Sequence, residues 1–553
     1  MRKFLSILIL TSVLALPFSP SVAQRSSKSK AANIATQRGV DTITAAQMRD
    51  YLSFIASDEM EGRDTPSRGL DITAKFLATN LDRWGFKPGG DSGSFMQKIA
   101  LRRDGIEKDQ SSASYNGQPL TMGEDFIPAG RGGEASGPLV FAGSGWYFKS
   151  KGVESYKGID AKGKIAVIFT PTDGLPRGFS PIDLAGKRGE DWMDPSEYAS
   201  QQGAVGIIIV PGFQFLANWQ RNYTRITEGG GTSVEKFQTG AASALPLPTI
   251  IASPRLANLI FQGESQNGSA LFDAAGNNTL PAAFELKPEK KLSMKIVAKH
   301  SQLSTQNVVA IFEGSDPVLK DEYVALGAHY DHVGIGNPVN GDSIYNGADD
   351  DGSGTTALLS IAEALAKAPT KPKRSVVFIW HAGEEKGLWG SRYFVENPTI
   401  PLNKIVTQLN IDMIGRSKAA GDTNPRNREL SGPNEIYVIG SKMMSTELGA
   451  LSESVNKDYL NLSFNYKYDD PNDPNRFFFR SDHFNYARKG IPIIFYFDGE
   501  HEDYHRPGDS PDKIDYQKMQ KVTRTVYMML WELANRPARP AVDKKLPKEL
   551  SGN

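Results

Sequence analysis

Cysteine is absent from this sequence of 553 residues, which excludes disulfides, thiolate metal ligands and a cysteine nucleophile. Any metal ion must therefore be held by histidine, aspartate and glutamate. A net charge is also lacking, because 63 lysines and arginines balance 63 aspartates and glutamates. Without a field of either sign we expect no nucleic-acid or membrane partner, and instead a small or peptidic molecule that binds in a pocket.

No stretch after the N-terminus is long and apolar enough to span a bilayer. Residues 1–23 begin with Arg2 and Lys3, continue with an apolar run from Phe4 to Leu16, and end in Ser21-Val22-Ala23. This order is typical of a secretory signal peptide. We expect an exported protein, periplasmic or secreted, and the lack of disulfides in an exported chain favours a bacterial one.

Composition divides the rest of the chain into segments. Glycine and proline are dense between 123 and 288, short β-type runs recur there, and histidine is missing, so we predict a separate, mostly-β insert without chemistry of its own. The predicted segments are a flexible arm at 24–40, the first part of the main domain at 41–122, the insert at 123–288, the rest of the main domain at 289–538 and a C-terminal tail at 539–553.

Two helices are predicted at the start of the main domain. Thr44 and Gln47 form a capping-box pattern ahead of the first helix. The second runs from about Leu70 to Trp84 and ends at Gly85. We interpret the polar stretch at 57–63 between them as an ordinary helix connection rather than as part of a functional site.

From Leu292 onward, apolar runs typical of strands alternate with helical periodicity. This alternation predicts an α/β fold with a doubly wound, mostly parallel sheet, in which ligands bind beyond the carboxyl ends of the strands. The strands are predicted at 307–312, 323–326, 375–380, 405–411, 436–439 and 491–497, and the helices at 355–368, 391–396, 445–455 and 516–534.

Candidate metal ligands fall just after these strands, as the rule requires. Six of the seven histidines lie between His329 and His505. Each residue alone has an ordinary structural explanation, but their joint placement at strand ends favours a metal site. The candidates after strands are His329, Asp331, His381, Glu384, Glu385, Asp412, His501 and His505.

Three adjacent aspartates, Asp349 to Asp351, precede a predicted helix, and the surrounding stretch from Gly327 to Gly354 has no lysine or arginine. Helix caps and turns use such residues too, but a divalent cation explains how three neighbouring carboxylates avoid mutual repulsion. Asp331 follows His329 at the spacing that lets a carboxylate accept the second ring proton of a ligating imidazole.

Five motifs resemble those of the M28 family of co-catalytic zinc peptidases, of the bacterial leucyl aminopeptidase type, and they occur in the family's order. The insert resembles the protease-associated (PA) domain that many members carry. The motifs are Gly327-Ala328-His329-Tyr330-Asp331-His332, Gly347-Ala348-Asp349-Asp350-Asp351-Gly352-Ser353-Gly354, Gly383-Glu384-Glu385-Lys386-Gly387-Leu388-Trp389-Gly390-Ser391, Asn410-Ile411-Asp412-Met413-Ile414-Gly415 and Tyr504-His505.

The resemblance implies two Zn²⁺ ions per chain and a role for each matching residue. His329 and Asp412 would bind one ion, and Glu385 and His505 would bind the other. Asp350 would bridge the two ions, and its peptide bond to Asp351 would be cis. Asp331 and Asp351 are expected next to these ligands. For catalysis the implied residues are Glu384 as general base and acid, Tyr504 as an oxyanion donor and Arg480 as a group that orients the substrate.

The sequence therefore predicts an exported dizinc metallopeptidase, most simply an aminopeptidase that acts on peptide substrates. A carboxypeptidase of the glutamate-carboxypeptidase type stays open, as does a glutaminyl-cyclase-like transferase. A binding protein that has lost catalysis is disfavoured because all candidate ligands and the base are present. The sequence does not fix the oligomeric state.

Overall fold

The computed structural model describes residues 38–546 apart from 130–131, 171–174, 177, 180–183, 185–186, 239–246, 269 and 272–281. The predicted signal peptide, all but the end of the predicted arm, and the last residues of the predicted tail lie outside the described residues. The chain divides into two compact units, Ile99–Thr305 and the combination of Met1–Lys98 with Gln306–Asn553. None of the helices described has both the length and the apolar character needed to cross a membrane.

The α-helices are α1 Ala45–Ile55, α2 Arg68–Arg83, α3 Pro195–Gln201, α4 Phe213–Ala217, α5 Trp219–Thr224, α6 Pro254–Phe261, α7 Gly352–Lys367, α8 Trp389–Glu396, α9 Thr446–Asp458, α10 His483–Arg488 and α11 Tyr516–Asn535. The strands are β1 Lys87–Pro88, β2 Met96–Ile106, β3 Ser112–Tyr115, β4 Gln118–Leu120, β5 Phe126–Ala129, β6 Gly133–Phe141, β7 Tyr147–Phe148, β8 Val153–Glu154, β9 Ile165–Thr170, β10 Trp192–Met193, β11 Gly206–Pro211, β12 Gly231–Val234, β13 Thr249–Ala252, β14 Phe284–Glu285, β15 Lys291–Ile296, β16 Ala298–Phe312, β17 Tyr323–His329, β18 Gly334–Val339, β19 Asp342–Tyr345, β20 Ser375–His381, β21 Ile405–Ile411, β22 Glu435–Ile439, β23 Ser463–Asn465 and β24 Ile493–Phe497.

The larger unit is built on a mixed sheet with the order β16-β20-β17-β21-β24-β22-β23. Its centre is parallel, since β20, β17, β21 and β24 run in the same direction. At the margins β16 pairs antiparallel with β20, and β22 pairs antiparallel with β24. The prediction of a mostly parallel sheet therefore holds for the central strands and for the pair of β22 with β23. It fails for the antiparallel pairings at β16 and β22, because strand periodicity carries no information about direction.

Helices cover both faces of this sheet. Apolar side chains of α1, α2, α7 and α11 pack with one face in a single buried cluster. On the other face, Phe394 of α8 and Tyr486 of α10 belong to a second cluster that includes Ile379 and Phe495. Strands β20 and β21 are buried along their whole length, which is why they read as continuous apolar runs.

Capping side chains set where two of these helices begin. Thr44 accepts a hydrogen bond from the backbone amide of Gln47, which is the N-cap predicted from the sequence. Asp351 caps α7 by accepting from the amide of Gly354. The cap of α7 lies inside the run of three aspartates and therefore fixes that run against the sheet.

The unit Ile99–Thr305 is wider than the insert predicted at 123–288, because β3 pairs with β15 beyond those limits. It is also less purely β than predicted. Its sheet has the order β4-β3-β15-β6-β9-β11-β13-β5, and β6, β9, β11 and β13 are parallel neighbours. Helix α3 connects β9 to β11, and its 7 residues are too few to give a clear helical period in the sequence.

Candidate metal centre

Parallel strands bring the predicted ligands to one edge of the larger unit's sheet. His329 is the last residue of β17, and it pairs in register with His381 at the end of β20. Asp412 directly follows β21, the other parallel neighbour of β17. Asp350 reaches the same edge from the loop before α7, so the ligands converge although they are far apart in the sequence.

The first cluster consists of His329, Asp350 and Asp412, whose ligand atoms lie close enough to hold one ion. His329 Nε2 is 3.2 Å from Asp350 Oδ1 and 3.5 Å from Asp412 Oδ1. Its Nδ1 donates to the backbone carbonyl oxygen of Asp331 at 3.1 Å, so the lone pair of Nε2 faces the carboxylates.

The role predicted for the Asp331 carboxylate needs correction. Its Oδ1 lies 3.6 Å from His329 Nδ1, farther than the carbonyl oxygen of the same residue. The carboxylate instead accepts a hydrogen bond from the backbone amide of Glu384 at 3.2 Å. Asp331 therefore supports the imidazole through its main chain and positions the start of the Glu384-Glu385 pair through its side chain.

The second cluster lies on the other side of Asp350. His505 Nε2 is 3.1 Å from both Asp350 Oδ2 and Glu385 Oε2. A further histidine, His332, also reaches this cluster and forms a possible ion site with Asp350 and Glu385. The sequence motif contained His332, but no role was assigned to it.

Asp350 is the aspartate of the run that faces both clusters. Its Oδ1 points to His329 and its Oδ2 to His505, and its peptide bond to Asp351 is cis. Burial raises the pKa of the Asp350 carboxyl, but the surrounding histidines outweigh burial and hold this pKa well below its usual value. An ionised carboxylate with one oxygen on each side is suited to bridging two cations.

The buried polar atoms here fit a cation better than they fit one another. Asp350 Oδ2, Glu385 Oε1 and His505 Nε2 are buried and have no hydrogen-bond partner among the described residues. Leaving such atoms without partners is strongly unfavourable. Imidazole and carboxylate are the donor types that zinc takes when cysteine is lacking, so the residues present fit the metal that the motifs imply.

Glu384 lies at the edge of the first cluster, with Oε2 4.0 Å from His329 Nε2. Burial raises the pKa of Glu384 well above its usual value, and the neighbouring carboxylates of Glu385 and Asp412 raise it further. A carboxyl whose proton affinity is raised in this way suits a group that takes up and returns a proton. By contrast, Glu385 keeps a lowered pKa because the adjacent histidines outweigh its burial.

Tyr504 and Arg480 line the pocket in front of the first cluster. The ring of Tyr504 stacks on that of His505, with centroids 4.0 Å apart. Arg480 Nη2 donates to Glu500 Oε1 at 2.6 Å and to the Tyr504 hydroxyl at 3.4 Å. Arg480, the predicted substrate-orienting residue, is therefore paired with Glu500. No pattern in the sequence pointed to Glu500.

Apolar side chains form the rest of this pocket. Met413, Phe477, Phe495 and Phe497 line it together with the residues of the first cluster. All four are nearly fully buried. The lining of the pocket therefore combines these apolar side chains with the carboxylates next to the first cluster.

Asp351 connects the parts of the site through its carboxylate, because both oxygens accept hydrogen bonds from backbone amides. Its carboxylate accepts hydrogen bonds from the backbone amides of His329 at 3.2 Å, Gly354 at 2.8 Å and Met413 at 3.1 Å. These amides belong to the end of β17, the start of α7 and the loop after β21. Asp351 therefore holds the backbone segments that carry the ligands.

The stretch at 57–63 does more than connect two helices, which corrects its interpretation from the sequence. Arg63 is fully buried and donates to the carbonyl oxygens of Tyr330 at 2.9 Å, Asn346 at 2.7 Å and Gly347 at 2.8 Å. It thereby joins the loop after β17 to the loop before Asp350. The contact spans hundreds of residues, so no local pattern in the sequence pointed to it.

Two of the histidines that follow strands are not brought to the clusters. His381 is buried next to the rings of Phe394 and Tyr486, and burial, followed by the charge of His329, lowers its pKa to about 3. His501 Nε2 contacts Asp349 Oδ2 at 3.4 Å. In the stretch 469–473, Asp473 forms a turn by accepting from the amides of Asn475 and Phe477. Asp469 instead accepts from the amides of Gly440 and Lys442.

Residues 307–530 match the sequence profile of Peptidase family M28. Leucine aminopeptidase 2 of Arthroderma otae is 27% identical over 282 residues, which are 46% of this chain and 50% of that protein. The probable leucine aminopeptidase 2 of Aspergillus oryzae is 35% identical over 201 residues, which are 35% of this chain and 34% of that protein. This chain therefore spans about half the length, or less, of these curated relatives.

Among solved structures, the aminopeptidase from Aneurinibacillus sp. strain AM-1 has a similar fold. The TM-score is 0.52 at 17% sequence identity, over 92% of this chain and 98% of that one. The profile match covers β17, the loop before α7, the loops after β20 and β21, and the segment with His505. Residues 307–530, which hold every residue of both clusters, therefore resemble peptidase family M28.

Proposed function

We propose that this protein is an exported aminopeptidase that uses two zinc ions to remove apolar residues from the N-termini of peptides. The observation that carries the proposal is the arrangement of Asp350, whose two carboxylate oxygens face two separate histidine-carboxylate clusters. The profile match to the peptidase family and the similarity to leucine aminopeptidases support the reaction class.

The residues that would hold the metals are those of the two clusters. His329 and Asp412 belong to one position, Glu385 and His505 to the other, and Asp350 is shared. A bound zinc pair supplies Lewis acidity, which lowers the pKa of water and polarises the scissile carbonyl group. The remaining steps fall to side chains of this chain.

Glu384 is the general base and acid of the proposal. Its carboxylate takes a proton from the attacking water and returns it to the amine nitrogen that leaves when the peptide C–N bond breaks. The raised pKa of Glu384 favours its holding that proton between the two steps. The Glu384 backbone amide donates a hydrogen bond to the Asp331 carboxylate, which positions the residue beside the pocket.

The pocket selects an amine rather than a carboxylate. Carboxylates of Asp350, Glu384, Asp412 and Glu500 line it, and they favour a protonated α-amine. Apart from His329, Arg480 is the cationic residue among its lining side chains, and its guanidinium is paired with Glu500. The Tyr504 hydroxyl accepts a hydrogen bond from Arg480 and would donate its own hydrogen bond to the developing oxyanion.

The carboxypeptidase alternative requires a cationic group free to bind the terminal carboxylate. The ion pair between Arg480 and Glu500 works against that role. Lys386, which lies near the ligands in the sequence, is paired with Asp64 at 2.7 Å. A transferase that uses a single zinc would leave the second cluster of Asp350, Glu385 and His505 without a purpose.

A matched set of leucine-containing peptides tests the proposal: free at both ends, N-acetylated, C-amidated, and blocked at both ends. We expect release of N-terminal leucine from the free and C-amidated peptides only. Release of C-terminal residues from the N-acetylated peptide would replace the aminopeptidase assignment with the carboxypeptidase. Replacing leucine by aspartate at the N-terminus should lower kcat/KM, because the apolar pocket would receive a charge.

Export is proposed on the predicted signal peptide at 1–23 alone. Fractionation of the native host, combined with N-terminal sequencing of the mature protein, tests it. We expect a mature chain that begins at Gln24 in the periplasm or the medium. A cytoplasmic chain that retains Met1 to Ala23 would contradict it.

A further inference from the structure

His332 occupies the second cluster and faces its carboxylates. Its side chain is fully buried, with Nδ1 2.8 Å from Glu385 Oε1 and 3.6 Å from Asp350 Oδ2. Neither ring nitrogen has a hydrogen-bond partner among the residues that the structure describes. A buried imidazole without a partner is unfavourable unless something else binds it.

The contact between His332 and Glu385 is short but does not have hydrogen-bond geometry. Both Nδ1 and Oε1 are buried and unpaired although they are 2.8 Å apart. His505 Nε2 and Asp350 Oδ2, which are 3.1 Å apart, are likewise both buried and unpaired. His505 Nε2 is also 3.1 Å from Glu385 Oε2. A tetrahedral ion with bonds of about 2.0–2.2 Å separates its ligand atoms by about 3.3–3.6 Å. The 3.6 Å between His332 Nδ1 and Asp350 Oδ2 falls in this range, and the contacts of 2.8 and 3.1 Å are shorter.

The chain holds the His332 ring in this position from several sides. The His332 backbone amide donates to the carbonyl oxygen of Arg63 at 3.2 Å. Gly347 passes so close that a Cβ atom there would lie 2.4 Å from His332 Cγ. The ring of His505 meets that of His332 edge to face, with centroids 5.6 Å apart. Such a cradle fixes the ring toward the carboxylates.

We propose that His332 is a fourth protein ligand of the second metal position, together with Asp350, Glu385 and His505. This inference rests on the proposed function, because it takes the two-ion centre as given. The second position then has four protein ligands and is closed. The first position has His329, Asp350 and Asp412 and borders the substrate pocket, so it keeps an open coordination place.

The two positions should therefore differ in how firmly they retain zinc. The position with His332 fills first and empties last, and the position with His329 exchanges its ion more readily. Activity would depend on the weaker position, while the stronger one would act as a permanent part of the folded chain. Sensitivity to mild chelation would then reflect loss of a single ion.

Zinc titration of the chelator-stripped full-length protein tests this, with affinities measured by competition with a chromophoric chelator. A zinc X-ray absorption spectrum at one equivalent counts the imidazole ligands. We expect two sites per chain, and two imidazoles in the one-equivalent form. His332→Gln and His505→Gln should each lower that count to one, whereas His329→Gln and the exposed control His300→Gln should leave it at two.

His332→Asn separates a ligand from a group that only orients Glu385. The asparagine side-chain amide reaches the position of His332 Nδ1 and retains a donor for Glu385. The variant would therefore preserve an orienting role, but it would not replace an imidazole that binds the ion. We expect His332→Asn to weaken the first zinc step by more than the 10- to 100-fold that is typical of losing an orienting partner. Circular dichroism checks that each variant is folded.

Two results would contradict the role of His332 as a ligand and leave the proposed function unchanged. These are two bound zinc ions with one imidazole in the one-equivalent form, or wild-type affinity in His332→Asn. Wild-type protein that binds a single zinc ion or none would contradict the two-ion centre itself, and the inference would fall with it.

Discussion

The carboxylate of Asp509 accepts a hydrogen bond from the backbone amide of Asp350 at 3.1 Å. The same oxygen accepts from the amide of Asp349 at 3.0 Å. Asp509 is fully buried, so these bonds are shielded from water and set the direction in which Asp350 leaves the main chain. The orientation of Asp350 toward both clusters therefore depends on a residue outside the two clusters.

Asp509→Asn should weaken zinc binding, because an amide offers one acceptor atom where the carboxylate offers two. We expect a 10- to 100-fold loss of metal affinity, as is typical when a partner of a ligand is changed. Zinc titration of the stripped variant measures it. Asp512→Asn on the surface nearby serves as the control, and equal affinities in the two variants would contradict the role given to Asp509.

Glu384→Gln and Glu385→Gln should separate catalysis from metal binding. Glu384→Gln removes the proposed general base, so we expect kcat to fall by about 10²- to 10⁴-fold with zinc content retained. Glu385→Gln removes a proposed ligand, so zinc content itself should fall. Elemental analysis and kcat on the same samples measure both, and near-normal turnover by Glu384→Gln would show that another residue is the base.

Arg63→Lys should destabilise the fold although it preserves the charge. The guanidinium donates to four backbone carbonyls, including that of Ile55, and an ammonium cannot reach them all from one position. We expect a loss of roughly 3–5 kcal/mol in the free energy of unfolding, comparable to breaking a buried charged network. Urea denaturation measures it, and the exposed Arg68→Lys should stay near wild type.

Glu429 should contribute stability that depends on pH. Burial raises the pKa of its carboxyl, but hydrogen bonds from Lys467, Tyr468 and Arg428 outweigh burial and lower it from 4.5 to about 2. Because the folded-state pKa is the lower one, this stability is fully present above about pH 4.5 and is lost as the pH falls toward about 2.

Glu429→Gln should therefore lower stability at neutral pH and flatten the acid side of the stability profile. Thermal unfolding between pH 7 and pH 3 compares the variant with wild type. Lys467→Met removes one of the same hydrogen bonds and should shift the profile in the same direction. A profile of Glu429→Gln parallel to that of wild type would contradict the assignment.

Features encoded by local patterns could be predicted from the sequence. The N-cap at Thr44 and the strands that end near His329 and Asp412 follow from capping chemistry and apolar periodicity. Placing the ligands at one edge followed from the rule for parallel strands, and their individual roles came from the family resemblance.

What the sequence did not reveal depends on contacts between distant segments. Arg63 and Asp509 reach the site through hydrogen bonds to backbone groups, which leave no periodic or compositional trace. The direction of the marginal strands is likewise set by pairing. His332 did carry a signal, since it lies within the first motif three residues after His329 and no other purpose was found for it.

The hydrogen bonds of Arg63 join segments of the site that the ribosome synthesises at different times. Arg63 is made near the start of the chain and His505 near its end, and between them lies the whole unit Ile99–Thr305. A ribosome must therefore synthesise the chain through His505 before both clusters are complete. A chain that is released earlier lacks His505 and cannot assemble the second cluster.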